Sequence, residues 1–273
     1  MSSFTRYLAI LVVLLYGCSG TIDDDNSPVE IPVPIRIATL ENKLSTRAVV
    51  NTIDATVAQN IGIYAVKEGT TSGQFPWTTS PYYANIAPSG ISGTLLSFSS
   101  KLYYPLGGKR VKFFAYYPRT TATSGNNYIT APGNGTPPIF NFTLTGAEDI
   151  MYAASSPSGS SSPATVAFTF THALTQLQIS TASLLGSLSS ITLMNVQTQG
   201  NLNLDTGVVT LNSGTANLNI LGLLSNKVAT VMVPANLPSY KVQVALLGLL
   251  PTTYTIKPPS GNFLPGMMYT ITL

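Results

Sequence analysis

Few side chains in this sequence are able to carry acid–base or nucleophilic chemistry. The 273 residues include one histidine, one cysteine and ten carboxylates. A serine hydrolase needs a base beside its nucleophile, and His172 is the only imidazole that could fill that role. The chain also lacks the Gly-x-Ser-x-Gly turn that presents the nucleophile in many hydrolases. This inventory predicts a protein that is not an enzyme.

Metal and glycosidase chemistry also lack the residues they need. A zinc site requires several Cys and His ligands, and the Asp-x-Asp-x-Asp-Gly loop of a calcium site is absent. Glu148 and Asp149 form the nearest approach to a carboxylate pair, but neighbouring residues of a strand point to opposite faces. We therefore expect neither a metal nor a cofactor.

His172 lies within an alternating apolar stretch, Phe168 to Ser180. One parity of this region carries Val166, Phe168, Phe170, His172 and Leu174, which share one face of a strand. That placement favours a hydrogen-bonded core histidine over a catalytic one. Leu177 and Ile179 have the opposite parity, so the pattern predicts a bulge or bend between Leu174 and Leu177. We interpret the stretch as the opening strand of a second β-sandwich.

The composition and length indicate two β domains. Hydrophobic residues make up 44% of the chain and charged residues 8%, against roughly 25% charged residues in ordinary soluble proteins. Short alternating segments separated by Gly, Pro, Asn and Ser predict an all-β fold of two sandwiches in tandem. The low-complexity stretch Ser155 to Pro163 separates a domain at 31–157 from a domain at 164–273.

Several strands follow from alternation or from buried apolar runs. They are expected near Val49 to Val57, Ile61 to Val66, Arg110 to Tyr117, Ile139 to Leu144, Lys227 to Val233, Tyr240 to Leu247, Thr252 to Ile256 and Met268 to Leu273, with a hairpin at Gly200 to Leu211. The segment Val29 to Ile37 also alternates. Pro32 and Pro34 interrupt it and lack N–H donors, so we expect an edge strand or a loosely paired one.

The N-terminus has the pattern of an export signal. Arg6 precedes an apolar run that is too short to span a bilayer and suits the signal peptide of a secreted protein, at residues 1–17. Cys18 follows directly and resembles the lipobox cysteine of bacterial lipoproteins, which is acylated after the signal is cut. Residues 18–30, with Asp23, Asp24 and Asp25, then form an acidic tether similar to the export signal of surface lipoproteins in Bacteroidetes. The resemblance implies an outer-membrane anchor at Cys18.

Two groups of residues could form binding surfaces, and each also has a purely structural explanation. A basic group formed by Lys101, Lys109, Arg110, Lys112 and Arg119 contains no acidic residue, but a solvated hairpin face explains it better than nucleic-acid binding. Trp77, Tyr82 and Tyr83 offer an aromatic platform for a glycan or host ligand. The alternative, which we favour, is that these rings pack over the end of a sandwich.

Several segments together resemble the fimbrillin family of Bacteroidetes, the type V pilins and their Mfa-like relatives. They are the lipobox at Cys18, Thr46-Arg47-Ala48, Ile61-Gly62-Ile63-Tyr64, Phe113 to Pro118, Asp149 to Tyr152, Phe168 to Ile179 and Phe263 to Thr270. The resemblance implies two transthyretin-like, Greek-key β-sandwich domains. It also implies an exported lipoprotein that supplies a shaft, tip or anchor subunit of surface fimbriae.

The same resemblance implies activation by proteolysis. In that family a trypsin-like protease cuts after an arginine and removes the first strand, which would correspond here to the bond between Arg47 and Ala48, with Arg36 as second choice. An extended segment of another subunit would then fill the vacated groove by β-strand addition. Arg47 as an ordinary exposed loop residue, and a monomeric surface lipoprotein that binds a glycan or host ligand, are the alternatives.

Overall fold

The structure is a computed structural model that describes residues 30–40, 52–184 and 187–273. The predicted signal peptide, Cys18, Arg47 and Ala48 lie outside these residues. The described part of the chain contains twenty-one strands, one short α-helix and one 3-10 helix, and from Pro32 onward it belongs to one compact unit. The predicted all-β fold is confirmed.

The first eleven strands belong to the N-terminal part. They are β1 (Ile37–Leu40), β2 (Gly62–Lys67), β3 (Tyr83–Ile86), β4 (Gly90–Ser92), β5 (Leu95–Ser97), β6 (Val111–Tyr117), β7 (Tyr128–Thr130), β8 (Ile139–Thr143), β9 (Met151–Ala154), β10 (Val166–Thr169) and β11 (Thr171–His172), with helix α1 (Ala55–Gln59) between β1 and β2.

Ten strands follow. They are β12 (Leu174–Ser180), β13 (Leu188–Val196), β14 (Gln199–Asn203), β15 (Val209–Leu211), β16 (Ala216–Asn219), β17 (Leu224–Ser225), β18 (Val228–Pro234), β19 (Tyr240–Leu246), β20 (Thr252–Ile256) and β21 (Met268–Thr272), with the 3-10 helix Leu221–Leu223 before β17.

Three sheets form the N-terminal part. The front sheet has the order β10-β1-β5-β4, the middle sheet β11-β9-β6-β2-β3, and the back sheet β15-β14-β8-β7. A first core joins the front and middle sheets through side chains such as Ile37, Ile63 and Phe113. A second core joins the middle and back sheets through side chains such as Phe114 and Phe140. The middle sheet therefore buries both of its faces.

Two further sheets pack as a C-terminal sandwich. Their orders are β17-β18-β12-β21 and β16-β13-β19-β20, and a third core of Val, Ile and Leu residues fills the space between them. Strand β12 pairs antiparallel with β18 and parallel with β21. Two buried residues of this sandwich, Leu174 and Met232, belong to the second core, so the sandwich packs directly on the N-terminal part.

The stretch Phe168 to Ser180 corrects one expectation and confirms another. All five predicted inward residues from Val166 to Leu174 are buried. No bulge follows Leu174, because β12 pairs with β18 in an unbroken register from Leu174↔Pro234 to Ser180↔Val228. Leu174 and Leu177 instead lie on opposite faces of a regular strand. Both are buried because the second core covers one face and the third core covers the other.

The stretch is also not a single opening strand of the second sandwich. Residues 170 and 173 interrupt it, and its first piece, β10, pairs in parallel with β1 in the front sheet. Its second piece, β11, pairs with β9 in the middle sheet. Only β12 belongs to the C-terminal sandwich. The chain thus passes through all three cores within fifteen residues, Val166–Ser180.

Strand pairing also crosses the predicted boundary between residues 157 and 164. The predicted hairpin is confirmed as β14 and β15, but β14 pairs with β8 over five residues, from Gln199↔Thr143 to Asn203↔Ile139. A hairpin from the second half of the sequence therefore completes the back sheet of the first half. Hydrophobic alternation gives no information about which distant strand a sheet edge will pair with. The sequence therefore could not predict the pairing of β14 with β8.

The expected strand near Val49 to Val57 is wrong over its described C-terminal part. Ala55–Gln59 form the helix α1, and the Asp54 carboxylate caps it by accepting a hydrogen bond from the N–H of Val57 at 2.8 Å. Asp is a preferred N-cap residue, which was the signal for this helix. The later strands, from Lys227 to Leu273, are confirmed to within a residue or two of their predicted ends.

Gly62 offers a test of the double-sided middle sheet. A Cβ at Gly62 would lie 2.2 Å from Cε1 of Tyr116, whose ring covers this position. The Tyr116 hydroxyl donates to the carbonyl of Thr120 at 3.1 Å, within the second core. Gly62→Ala should therefore lower the free energy of unfolding by about 1–3 kcal/mol, as measured by guanidinium denaturation.

Gly90→Ala is the matched control, because Gly90 also lies on a strand but has no atom within 4 Å of its Cβ position. We expect a change within about 0.5 kcal/mol there. Equal effects at the two glycines would contradict the packing described for Tyr116.

Candidate functional site

Strand β1 is inserted between two other strands of the front sheet. It pairs in parallel with β10, from Ile37↔Val166 to Leu40↔Thr169, and antiparallel with β5 at Ile37↔Leu96 and Ala38↔Leu95. On one side the N–H of Val166 donates to the carbonyl of Arg36 at 2.8 Å, and on the other the N–H of Thr39 donates to the carbonyl of Thr94 at 2.8 Å. Of the two alternatives expected for Val29 to Ile37, an edge strand is wrong for β1, whereas a loosely paired strand fits the described residues before Ile37, which carry an isolated bridge at Pro34.

The position of Pro34 explains why proline did not force an edge. Pro34 forms an antiparallel bridge with Tyr103, and its neighbours make the hydrogen bonds. The N–H of Ile35 donates to Leu102 at 2.8 Å, and the N–H of Tyr104 donates to the carbonyl of Val33 at 3.0 Å. Pro34 thus occupies a position whose own N–H is not used in this pairing, so its missing donor costs nothing there.

The inward-facing residues of β1 and of the segment just before it close the first core. Ile35 is 8% exposed and Ile37 is 1% exposed, and both belong to the cluster that contains Leu96, Val166 and Phe168. Arg36 points the other way and is exposed. Removing this strand would uncover apolar side chains of the first core and leave β10 and β5 without a common partner.

The predicted processing residues fall in different places. Arg36, the second choice, lies in the ladder itself, because its carbonyl accepts from Val166. A cut after Arg36 would fall immediately before β1 and would separate it from Ile35. Arg47 and Ala48, the first choice, and the lipidation residue Cys18 lie outside the described residues. Strand β1 ends at Leu40, which is 51% exposed, and the segment that contains Arg47 follows it in the sequence.

His172 has a structural environment. Its Nδ1 lies 2.9 Å from Oδ1 of Asp149, and the two side chains are 5% and 1% exposed. His172 ends β11, which joins the middle sheet, and it lies two residues before the start of β12 in the C-terminal sandwich. This confirms the interpretation of His172 as a hydrogen-bonded core histidine. The sequence had assigned Asp149 only to an unproductive pair with Glu148 and did not predict this contact.

The aromatic platform predicted as a glycan site is not assembled. Trp77 is 5% exposed and packs in the second core, with its ring 4.9 Å from that of Phe114. The hydroxyls of Tyr82 and Tyr83 both donate to the carbonyl of Tyr103, at 3.0 and 2.9 Å. The rings pack against the interior rather than forming a platform: Trp77 belongs to the second core, and Tyr82 and Tyr83 pack against the first.

The basic residues are not a free cationic surface either. Arg110 forms a salt bridge with Glu68 at 2.6 Å, Lys109 donates to the carbonyl of Gly69 at 2.8 Å, and Arg119 donates to the carbonyl of Asn85 at 3.1 Å. The Lys112 ammonium lies 4.8 Å from the centre of the Phe114 ring. These contacts support the bland interpretation and give no reason to expect nucleic-acid binding.

Across residues 30–40, 52–184 and 187–273, no group of three or more His, Cys, Asp or Glu side chains is placed to hold a metal ion. Over the same residues, no helix has the length and apolar character needed to cross a membrane. The inserted strand β1 is therefore the feature with the clearest functional geometry in the described part of the chain.

Comparison with known proteins identifies the family. A family model described as fimbrillin-like matches residues 46–273. The chain belongs to the fimbrillin-like family. A relative from Bacteroides uniformis named "Putative fimbrium subunit Fim1C" is 30% identical over 239 residues, which cover 83% of this chain and 73% of the relative. The resemblance predicted from the motifs is thereby confirmed.

Solved structures share the fold of this fimbrillin-like chain. A fimbrial protein from Bacteroides vulgatus aligns with a TM-score of 0.56 at 14% identity, covering 88% of this chain and 95% of that one. A "putative cell adhesion protein" from Bacteroides uniformis aligns with a TM-score of 0.54 at 20% identity, covering 88% and 92% of the two chains. At these identities the likeness concerns the fold alone.

The His172–Asp149 pair predicts a measurable coupling. His172→Leu leaves the buried Asp149 carboxylate without its imidazole partner, and we expect a loss of about 3–5 kcal/mol in the free energy of unfolding. A double variant, His172→Leu with Asp149→Leu, should cost less than the sum of the two single changes. Additive costs in a denaturation cycle would show that the two side chains are not coupled. Thr171→Leu, at the exposed neighbour, is the control.

Glu68 predicts a pH dependence of stability. The hydrogen bond from the Arg110 guanidinium, aided by the N–H of Gly73, lowers the pKa of Glu68 from its ordinary 4.5 to about 2. A carboxylate whose pKa is lower in the folded state stabilises the fold above its unfolded pKa. This contribution is lost as the pH falls from about 4.5 to about 2.

Glu68→Gln should therefore flatten the fall of the melting temperature across that acidic range, and Arg110→Gln should flatten it in the same way. Thermal unfolding followed by circular dichroism between these pH values measures both. A Glu68→Gln variant that keeps the wild-type slope would contradict the assignment.

Proposed function

We propose that this protein is a non-enzymatic structural and adhesive subunit of cell-surface fimbriae that assembles by exchange of β1. The observation that carries the proposal is the inserted strand. Ile37 of this strand and Ile35 just before it are buried in the first core, and the strand leads at Leu40 into the segment that contains Arg47. Family membership and the fimbrium-subunit relative support the fimbrial role.

Cleavage between Arg47 and Ala48 separates β1 from the rest of the fold without cutting the strand. Departure of β1 then removes the central partner of the front sheet. Strand β10 and strand β5 are left facing each other across a gap, with the apolar residues of the first core at its base. An extended segment of another subunit fills the gap, because main-chain hydrogen bonds supply affinity and apolar side chains at the positions of Ile35 and Ile37 supply fit.

The exchange also explains why β1 pairs on both sides. A strand at a sheet edge makes one ladder, whereas β1 makes hydrogen bonds to β10 and to β5. A replacement strand gains both ladders, which makes the assembled contact stronger than simple addition at an edge. The same feature keeps the precursor closed until a protease acts, since unpaired strand edges promote association.

Before processing, lipidation of Cys18 would hold the precursor at the outer membrane. The acyl chains on one cysteine provide this anchor, because each buried CH2 contributes roughly 0.8 kcal/mol of membrane affinity. Cleavage after Arg47 would separate the folded part from the lipid together with β1. A single cut would therefore release the subunit and open its acceptor groove.

The cut itself is the direct test. Treatment of the purified full chain with a trypsin-like protease should give a fragment that begins at Ala48, followed by oligomers that resist mild denaturants. N-terminal sequencing and size-exclusion chromatography measure these two events. Arg47→Ala should prevent both, while Arg36→Ala should leave both intact. If trimming at Arg47 occurs and no oligomers form, assembly by strand exchange is wrong.

The protein taken from intact surface fibres distinguishes the possible places in a fimbrium. An N-terminus at Ala48 identifies a processed subunit, whereas an acylated Cys18 identifies a membrane-retained anchor or an unassembled lipoprotein. The alternative, a monomeric glycan-binding lipoprotein, depended on an exposed aromatic platform. Trp77 is buried and cannot contribute to one.

A further inference from the structure

The hairpin between β19 and β20 carries an exposed group of leucines. Leu247, Leu249 and Leu250 are 77%, 65% and 90% exposed. The turn is ordered, because the N–H of Leu249 donates to the carbonyl of Leu246 at 3.0 Å and Gly248 takes the positive φ of +79° that the turn requires. We call Leu247–Leu250 the leucine tip. A contiguous apolar projection of this kind usually marks an interaction site.

The leucine tip lies at the end of the C-terminal sandwich that is remote from the N-terminal part. Strand β12 begins at Leu174 in the second core and runs to Ser180, about 20 Å further at 3.3 Å per residue. The loop after Ser180 leads to Ser187, whose carbonyl accepts from the N–H of Leu247 at 2.8 Å. Leu188 and Leu246, which are half-buried, form the base of the tip on the third core.

A complementary apolar cavity lies at the other end of the run Val166–Ser180. It has a volume of about 440 Å³, and its lining combines the apolar Ile35, Leu96, Phe98 and Leu102 with the polar Ser97, Ser100 and Lys101. Arg36 also lines the cavity, and its carbonyl accepts a hydrogen bond from the N–H of Val166 at 2.8 Å. The cavity therefore lies beside the start of β10. The volume is within the roughly 300–1,000 Å³ of sites that enclose small ligands, so it is large enough for leucine side chains.

We infer that the leucine tip of one copy of this chain seats in this cavity of the next copy. The projection and the cavity are different surfaces of the same molecule, so the contact is head to tail. Contacts of that type generate filaments unless the rotation between copies closes a ring. The inference rests on the proposed function and extends it by naming the surfaces through which consecutive subunits meet before or alongside strand exchange.

The proposed contact lies next to the strand that is exchanged. Most of the cavity wall, from Leu96 to Tyr103, belongs to β5 and the segment after it, and the remainder, from Pro34 to Arg36, immediately precedes β1. A copy docked here lies beside the strand that is to be replaced. The wall from Leu96 to Tyr103 does not depend on β1 for its covalent connection and stays with the subunit after cleavage.

A lipid surface fits the leucine tip less well than a second copy does. Membrane-binding surfaces combine apolar residues with several cations, each worth about 1 kcal/mol near an anionic bilayer. Among the described residues at this end of the sandwich, in the loops after Ser180, before Val228 and after Leu246, Lys227 is the one charged side chain. The cavity, in contrast, supplies an apolar receptor on the same chain.

Cysteine cross-linking of the full chain on intact cells tests the contact. The double variant Leu249→Cys with Ser100→Cys, treated with a short bis-maleimide, should give a ladder of dimers and higher species. Each single variant should give only the background due to Cys18. Val208→Cys with Ser100→Cys is the matched control, because Val208 is 57% exposed on a different hairpin.

Adding Leu250→Asp to the cross-linking pair should lower the yield of the ladder at least tenfold, while adding Val208→Asp should leave it unchanged. A ladder that survives Leu250→Asp overturns the inference. So do dimers formed by the Leu249→Cys single variant beyond the Cys18 background, which would mean a tip-to-tip contact. Phospholipid vesicles that sediment wild-type and Val208→Asp chains but not Leu250→Asp chains would assign the tip to a membrane and overturn it as well.

Electron microscopy of the same cells separates this inference from the proposed function. Fibres without a cross-linked ladder show that subunits assemble through other surfaces, so the inference fails and the fimbrial role stands. Absence of fibres and of oligomers from the wild-type chain, even after cleavage at Arg47, removes the proposed function itself.

Discussion

The structure depends on a middle sheet that must bury both of its faces. Strand β2 presents Ile63 and Ala65 to the first core and Tyr64 and Val66 to the second. Strand β6 does the same, with Phe113 and Ala115 in the first core and Phe114 and Tyr116 in the second. A two-layer sandwich would leave one of these faces in water, and burial of large apolar side chains contributes about 1.5–3 kcal/mol each. A third layer is therefore required.

That requirement explains how the two halves of the chain are joined. The first half supplies β7 and β8 for the back sheet, and the second half supplies β14 and β15. The second core also takes in Leu174 and Met232 from the C-terminal sandwich. The C-terminal sandwich thus packs on a surface made partly by its own sequence. Strand β1, in contrast, is joined to the rest of the fold by a segment that contains Arg47, after which a trypsin-like protease could cut. It is the inserted strand for which we propose replacement.

The sequence predicted the elements better than their pairing. Alternation located β18, β19 and β21 closely, because each has one face on the third core. It placed His172 correctly on a buried face. Alternation predicted a bend at Leu174, because both faces of that strand are buried. It also predicted an edge strand or a loosely paired one before β1, because Pro34 lacks an N–H donor. Both failures concern partners that are distant in sequence, such as Val166 for Ile37, which periodicity cannot specify.

The ladder between β8 and β14 has a mechanical consequence for a subunit in a fibre. Tension applied along such a fibre would tend to draw the two halves of the chain apart. The low-complexity stretch between Ser155 and Pro163 contributes no residue to the three cores, and it is held to β6 by the bridge between Ser158 and Val111. The five residue pairs from Gln199↔Thr143 to Asn203↔Ile139 bridge the halves directly, so the halves cannot separate until this ladder breaks. The hairpin of β14 and β15 would therefore carry the load in parallel with this stretch.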